Sequence, residues 1–382
     1  MTDSPDRSSG APAADKLLFT PGPLTTSAST KRAMLRDLGS RDVEFVALVR
    51  DARRRLLELA GAGPGAGYEA VLLQGSGTYG IEAMVTTLVP RDGRLLVLAN
   101  GAYGARIGLV ARVHGIDVRV ETRPEDTPFR GAEVGDWLRA DAGVTHVAVV
   151  HCETTTGLMN PIAEVAAAVH AAGRRCLIDS MSAFGAVPVD LPALAVDALV
   201  SSSNKCIEGV PGFAFALVRQ AALLEAEGQA RTLTLDLVAQ WRGLERDGQF
   251  RFTPPTHVLL AFAQALRELE AEGGVAGRGA RYARNQAAVQ VGLEALGFRS
   301  YLPAAVQGPI ITTFRYPQDP KFDFAAFYRR LSDRGFVIYP GKLTAEPCFR
   351  VGSVGRIGEP EIRGLLAAVA EVVREMGFDP AA

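Results

Sequence analysis

The chain has 382 residues, above the ~250–300 at which a single core usually stops growing, so two packed units are expected. Hydrophobic residues make up 48% and charged residues 22%, and 41 basic against 42 acidic side chains leave a formal charge of −1; that balance excludes the basic footprint of a nucleic-acid binder or of a protein drawn to anionic lipid. No uncharged apolar run reaches ~18 residues, which excludes a membrane-spanning helix.

Four cysteines, Cys152, Cys176, Cys206 and Cys348, form no CxxC pair and do not cluster with the five histidines. That is the pattern of reduced thiols in a cytoplasmic protein, and it implies no metal.

Residues 1–15 are rich in Ser, Pro, Ala and Asp and read as a disordered leader without the apolar core of a signal peptide. Residues 16–24 form an extended segment ended by prolines. Apolar residues at Phe45, Leu48, Val49, Ala52 and Leu56 have three-four spacing, which predicts a helix over about 30–59. From Tyr68 onward, short β-rich runs at 71–73, 95–98, 117–120, 146–150, 176–178 and 198–200 alternate with amphipathic stretches such as 162–172. Strands alternating with helices predict a mainly parallel sheet covered on both faces. Residues 212–218 read as one more strand after a Gly/Pro turn.

Helices are predicted over 259–272 and 278–296, then a change of character follows. Strand-like runs at 309–314, 336–339 and 349–351 alternate with helices at 324–334 and 360–375. The expected division is a leader (1–15), a large α/β domain (16–270) and a smaller C-terminal α+β domain (271–382).

Several strand ends carry chemistry-bearing residues. Gly75-Ser-Gly-Thr-Tyr-Gly80 matches GxGxxG between a strand and a helix, the context of a dinucleotide fingerprint. The next strand, however, runs into Ala99-Asn100-Gly101, with no acid for a ribose hydroxyl. What survives is a phosphate cradle of backbone N–H groups at Ser76, Gly77 and Thr78, or a plain βα turn. Leu177-Ile178-Asp179 puts a carboxylate at a strand end, which suits either a ligand crevice or a helix cap. Lys205 follows the run 198–203 and precedes a Gly/Pro turn; partial burial there would lower its pKa and favour imine chemistry. His151-Cys-Glu-Thr-Thr-Thr-Gly157 offers hydroxyls, and Tyr103 offers a ring at a loop.

Each feature alone has a structural explanation. Together they match pyridoxal 5'-phosphate, which needs an anion cradle, a carboxylate for its ring nitrogen, a flat partner, a hydroxyl for its phenolic oxygen and an amine for its aldehyde.

The segments TPGPLTTS (20–27), LLQGSGT (72–78), NGAYGARI (100–107), HCETTTG (151–157), SSNKCIEGVPGF (202–213), RFTPPTHV (251–258), GFVIYPGK (335–342) and FRVGSVG (349–355) carry a resemblance over about 17–375. The chain resembles class V aminotransferases of fold type I, and among them those that use 2-aminoethylphosphonate and pyruvate.

The resemblance implies a pyridoxal-phosphate-dependent transaminase of phosphonate catabolism. Alanine–glyoxylate or serine–pyruvate transamination is the alternative. It implies Lys205 as the lysine that bonds the cofactor and moves the proton, and Asp179 as partner of the pyridinium. Tyr103 would stack on the ring and Thr154 would bond the phenolic oxygen. Ser76, Gly77 and Thr78 would hold the phosphate, with Asn204 nearby. Arg251 and Thr253 would reach the phosphate from the other subunit of a homodimer. Arg350 would grip the substrate acid through its planar fork.

Overall fold

The computed structural model describes residues 15–343 and 346–382; apart from Asp15, the leader read over 1–15 lies outside the described residues. At its centre is a seven-stranded sheet in the spatial order Tyr68–Gln74, Phe213–Arg219, Ala198–Ser202, Arg175–Asp179, Val144–Val150, Arg94–Ala99, Asp117–Thr122. Phe213–Arg219 runs antiparallel to both neighbours and the remaining pairings are parallel. The inner strands are continuous apolar runs, such as Leu95-Leu96-Val97-Leu98 and Val147-Ala148-Val149, and these residues are fully buried. That composition suits a sheet covered on both faces. Helices Val43–Leu59, Gly77–Leu88, Ala102–Val113 and Ile162–Ala171 supply apolar residues to the same core.

The helix predicted over 30–59 divides in two, Ala28–Arg32 and Val43–Leu59. Two N-caps account for the break. Ser27 accepts from the Thr30 N–H and Asp42 accepts from the Glu44 N–H, so each segment starts its own helix. Helix Leu237–Asp247, which the sequence reading did not place, packs Trp241 and Leu244 into the core and ends on Gly248 at φ 77°.

A second apolar cluster gathers Val289, Leu293, Phe314, Phe327, Phe349, Leu365 and Val369 around the sheet Ile311–Arg315, Cys348–Gly352, Tyr339–Pro340. Helices Gly274–Ala295, Phe324–Asp333 and Glu359–Met376 cover it. The N-terminal strand joins this cluster rather than the large sheet. Leu17 and Leu18 pair in parallel with Phe336 and Val337, and Phe19 is buried among the second cluster's rings. We propose a division of the chain near residue 270, with residues 17–19 returning to pack on the C-terminal unit.

Among the described residues no helix is long and apolar enough to cross a membrane, and no group of His, Cys, Asp and Glu could hold a metal ion. The parallel strands all direct their carboxyl ends to one edge of the large sheet. Ligand crevices of open α/β sheets form at that edge.

Candidate active site

Strand Tyr68–Gln74 ends at Gly75, whose φ of +112° only glycine adopts readily, and a twelve-residue helix opens at Gly77. Ser76 is its N-cap but makes no side-chain cap bond. The first amides of a helix have no intrahelical partner and carry the positive end of its dipole. They border a cavity of about 220 Å³ lined by Ser76, Gly77, Thr78, Tyr103, Asp179, Asn204 and Lys205 among others. Seven residues singled out from widely separated stretches of sequence thus meet at one place.

Asp179 closes strand Arg175–Asp179 and is 5% exposed. Its Oδ1 accepts from the Met181 N–H at 2.9 Å. Burial pushes its carboxyl up to about 6, against the lowering effects of that N–H, Lys205 and Arg106. A carboxylate held this way gains from a cationic partner in the cavity.

Lys205 lies in the turn between strands Ala198–Ser202 and Phe213–Arg219. Its Nζ donates to the Pro21 carbonyl at 2.7 Å. Burial lowers its pKa, partly offset by Tyr103, Cys206 and Asp179, so the free amine is more accessible at neutral pH than that of a surface lysine. The turn is held from behind. Ser203 Oγ donates to Val210 O at 2.6 Å, and fully buried Arg278 donates from Nη1 to Cys206 O at 2.7 Å.

The TPGP segment fits closely over this lysine. Gly22 has φ +124°, and a Cβ there would lie 2.9 Å from Lys205 Cδ and 3.2 Å from Asn204 O. Gly22→Ala is therefore expected to displace Lys205 and lower kcat by about 10²-fold, the cost of a misplacement near 1 Å. Initial rates alongside a thermal melt separate this from unfolding.

Tyr103 opens helix Ala102–Val113. Burial raises its phenol, but a hydrogen bond with Thr154 and the charges of Lys205, Lys342 and Arg350 outweigh it, so the net shift is downward. Beneath it, Glu153 is wholly buried and accepts from the N–H groups of Tyr103, Gly104 and Thr155 at 3.3, 3.1 and 3.2 Å.

Arg350, 0% exposed, lies on strand Cys348–Gly352. Its Nε donates to Pro340 O at 3.0 Å and its Nη1 to Thr154 O at 2.7 Å. Its Nη2 is buried and has no protein partner. The planar fork expected from the sequence is thus largely committed to the backbone, and one nitrogen remains for an anion.

Arg251 and Thr253 do not line this chain's cavity. Arg251 donates to Leu233 O at 3.0 Å, and Thr253 O accepts from Gln74 Nε2 at 3.0 Å. Two cations were missed in the sequence. Arg106 lines the cavity, donates to Thr78 Oγ1 at 3.2 Å and sits 4.9 Å from the Tyr103 ring centroid. It follows Tyr103 by three residues on one helix, a spacing that places both on one face. Lys342, the last residue of GFVIYPGK, lies 5.0 Å from the same centroid.

Residues 26–358 match the profile of the family described as Aminotransferase class-V. The chain belongs to that family. It is 50% identical over 365 residues to 2-aminoethylphosphonate–pyruvate transaminase 1 of Paraburkholderia xenovorans (strain LB400), covering 96% of this chain and 94% of that protein. It is 48% identical to 2-aminoethylphosphonate–pyruvate transaminase of Rhizobium meliloti (strain 1021), covering 95% of each. Among solved structures, alanine–glyoxylate aminotransferase from Nostoc sp. superposes with a TM-score of 0.86 at 26% identity, over 94% of this chain and 96% of the other. Pyridoxamine-pyruvate aminotransferase from Mesorhizobium loti gives 0.87 at 24% identity, over 96% and 95%, a likeness of fold.

Proposed function

We propose that the protein holds pyridoxal 5'-phosphate in this cavity and transfers the amino group of 2-aminoethylphosphonate to pyruvate, giving phosphonoacetaldehyde and L-alanine. The observation that carries the reading is the meeting of a helix N-terminus, a buried carboxylate and a lysine of lowered basicity around one cavity. Relatives about half identical over nearly their whole length, and named for that reaction, support the choice of substrates.

The donor set fits the cofactor. Uncapped amides and the Ser76 and Thr78 hydroxyls suit a phosphate. Asp179 suits a protonated ring nitrogen, Tyr103 a flat ring, Thr154 a phenolic oxygen, and Lys205 an aldehyde. Bound there, pyridoxal phosphate supplies an electrophilic carbonyl and a ring that withdraws electrons.

The protein's own groups do the rest. With the cofactor bound, Lys205 would be the base, its Nζ taking the proton from the substrate carbon that bears nitrogen. Asp179 would hold the ring nitrogen of the bound group and favour its protonated form by charge. Asn204, which lines the cavity beside Lys205, would lie near the phosphate. Arg350 Nη2 receives the substrate acid. We place Arg251 and Thr253 at the cavity of the second subunit of a homodimer, as the resemblance of RFTPPTHV to the family implies; within their own chain they do not line the cavity.

Arg350→Lys is expected to raise KM for both substrates by about tenfold or more. An ammonium cannot hold the two carbonyls and still present a fixed donor to the anion. Adding single amines to the cofactor-loaded protein tests the substrate reading. 2-Aminoethylphosphonate should deplete the visible absorbance at lower concentration than L-serine or L-alanine; the reverse order would overturn it.

A further inference from the structure

The acid-binding arginine raises a charge problem. With Nε and Nη1 bonded to Pro340 O and Thr154 O, Arg350 has only Nη2 fully free, and it brings a single positive charge. One such donor suits a carboxylate, which is a monoanion. A phosphonate above neutral pH is a dianion with three oxygens, and burying it against one cation leaves charge uncompensated.

Other cations near the site are occupied. Lys205 is the amine of the proposed chemistry, and Arg106 is bonded to Thr78 beside the phosphate cradle. Lys342 is different. It leaves strand Tyr339–Pro340, which pairs with the Arg350 strand and places Tyr339 opposite Arg350. Its neighbour Gly341 donates its N–H to Cys348 O at 3.0 Å, so the backbone that carries it is tied to that strand. Its ammonium lies over Tyr103, makes no ion pair among the described residues, and its side chain is exposed. Such an aromatic contact is a weak tether for an ammonium at an exposed position and leaves its N–H donors available.

We propose that Lys342 is a specificity-determining residue that supplies the second positive charge for a dianionic substrate acid, with Arg350 Nη2 supplying the first. The proposal rests on the amino-donor reading above. It divides the labour between half-reactions: Arg350 serves both acids, whereas Lys342 matters chiefly for the phosphonate. Tyr103, which lines the cavity, holds the ammonium beside it between turnovers.

The test compares Lys342→Gln and Lys342→Arg with the unaltered, cofactor-loaded enzyme. In Lys342→Gln, KM for 2-aminoethylphosphonate should rise by roughly tenfold, the scale of one charge-assisted hydrogen bond. KM for pyruvate should change by less than about threefold, and Lys342→Arg should restore most of the loss. Calorimetric titration gives a second readout independent of turnover. Methylphosphonate should lose affinity at pH 8 in Lys342→Gln, and acetate should not. Equal losses for both anions, or no loss for methylphosphonate, would overturn the proposal. If the unaltered enzyme fails to use 2-aminoethylphosphonate, the substrate reading falls, while the methylphosphonate and acetate titrations still decide whether Lys342 selects dianions.

Discussion

Lys205→Ala is expected to reduce alanine formation by at least about 10⁴-fold, because in the proposed mechanism it removes at once the amine that bonds the cofactor and the base that moves the proton. The fold should survive. The side chain lines a cavity, and besides the bond from its amine to Pro21 O the turn that carries it is held by the Glu208 N–H to Lys205 O, by the Ser203 hydroxyl and by Arg278. The variant should therefore melt near the unaltered enzyme and retain cofactor that borohydride no longer fixes to the chain. Substantial residual transamination would remove Lys205 from the mechanism.

Asp179→Asn is expected to lower kcat by about 10³-fold, since an amide cannot hold the ring nitrogen protonated by charge. Its effect on the cofactor-free protein should have the opposite sign. Burial raises the Asp179 carboxyl from its ordinary 3.8 to about 6. As pH rises from about 4 to 6 the unfolded chain gives up this proton before the folded chain does, so the group costs stability across that window and above it. The cost is about 3 kcal/mol at full ionisation. At pH 8 the cofactor-free variant should thus melt a few degrees higher than the unaltered protein, and at pH 4 the two should coincide. In the proposed role for Asp179, a group that destabilises the empty site is the usual trade between function and stability. Melting curves at the two pH values, beside kcat of the loaded enzyme, check both halves.

Much of this site was legible in the sequence because each element announces its end locally. An apolar run buried on both faces reads as an inner strand, and residues at or just past its carboxyl end sit at the edge where ligands bind; Asp179, Lys205 and Ser76 all fall there, and only their combination pointed to one site. What the sequence hid was non-local. The Arg350 fork matches an anion on paper, yet two of its nitrogens go to Pro340 O and Thr154 O, and the latter lies 196 residues away. Leu17 and Leu18 belong by sequence order to the large unit but pair with Phe336 and Val337. The break near residues 33–42 was missed because apolar spacing suggested one continuous helix, whereas the caps at Ser27 and Asp42 start two. Lys342 reaches Tyr103 from 239 residues further along the chain, and no spacing within one element could show it.

The most direct test is alanine formation by the purified, cofactor-loaded enzyme given 2-aminoethylphosphonate and pyruvate. Serine with pyruvate, and L-alanine with glyoxylate, are run beside it. The expected result is L-alanine and phosphonoacetaldehyde in equal amounts, with kcat/KM for the phosphonate donor at least about 10²-fold above that for either amino acid. A preference for serine or L-alanine as donor would contradict the account at its centre, the choice of 2-aminoethylphosphonate as amino donor.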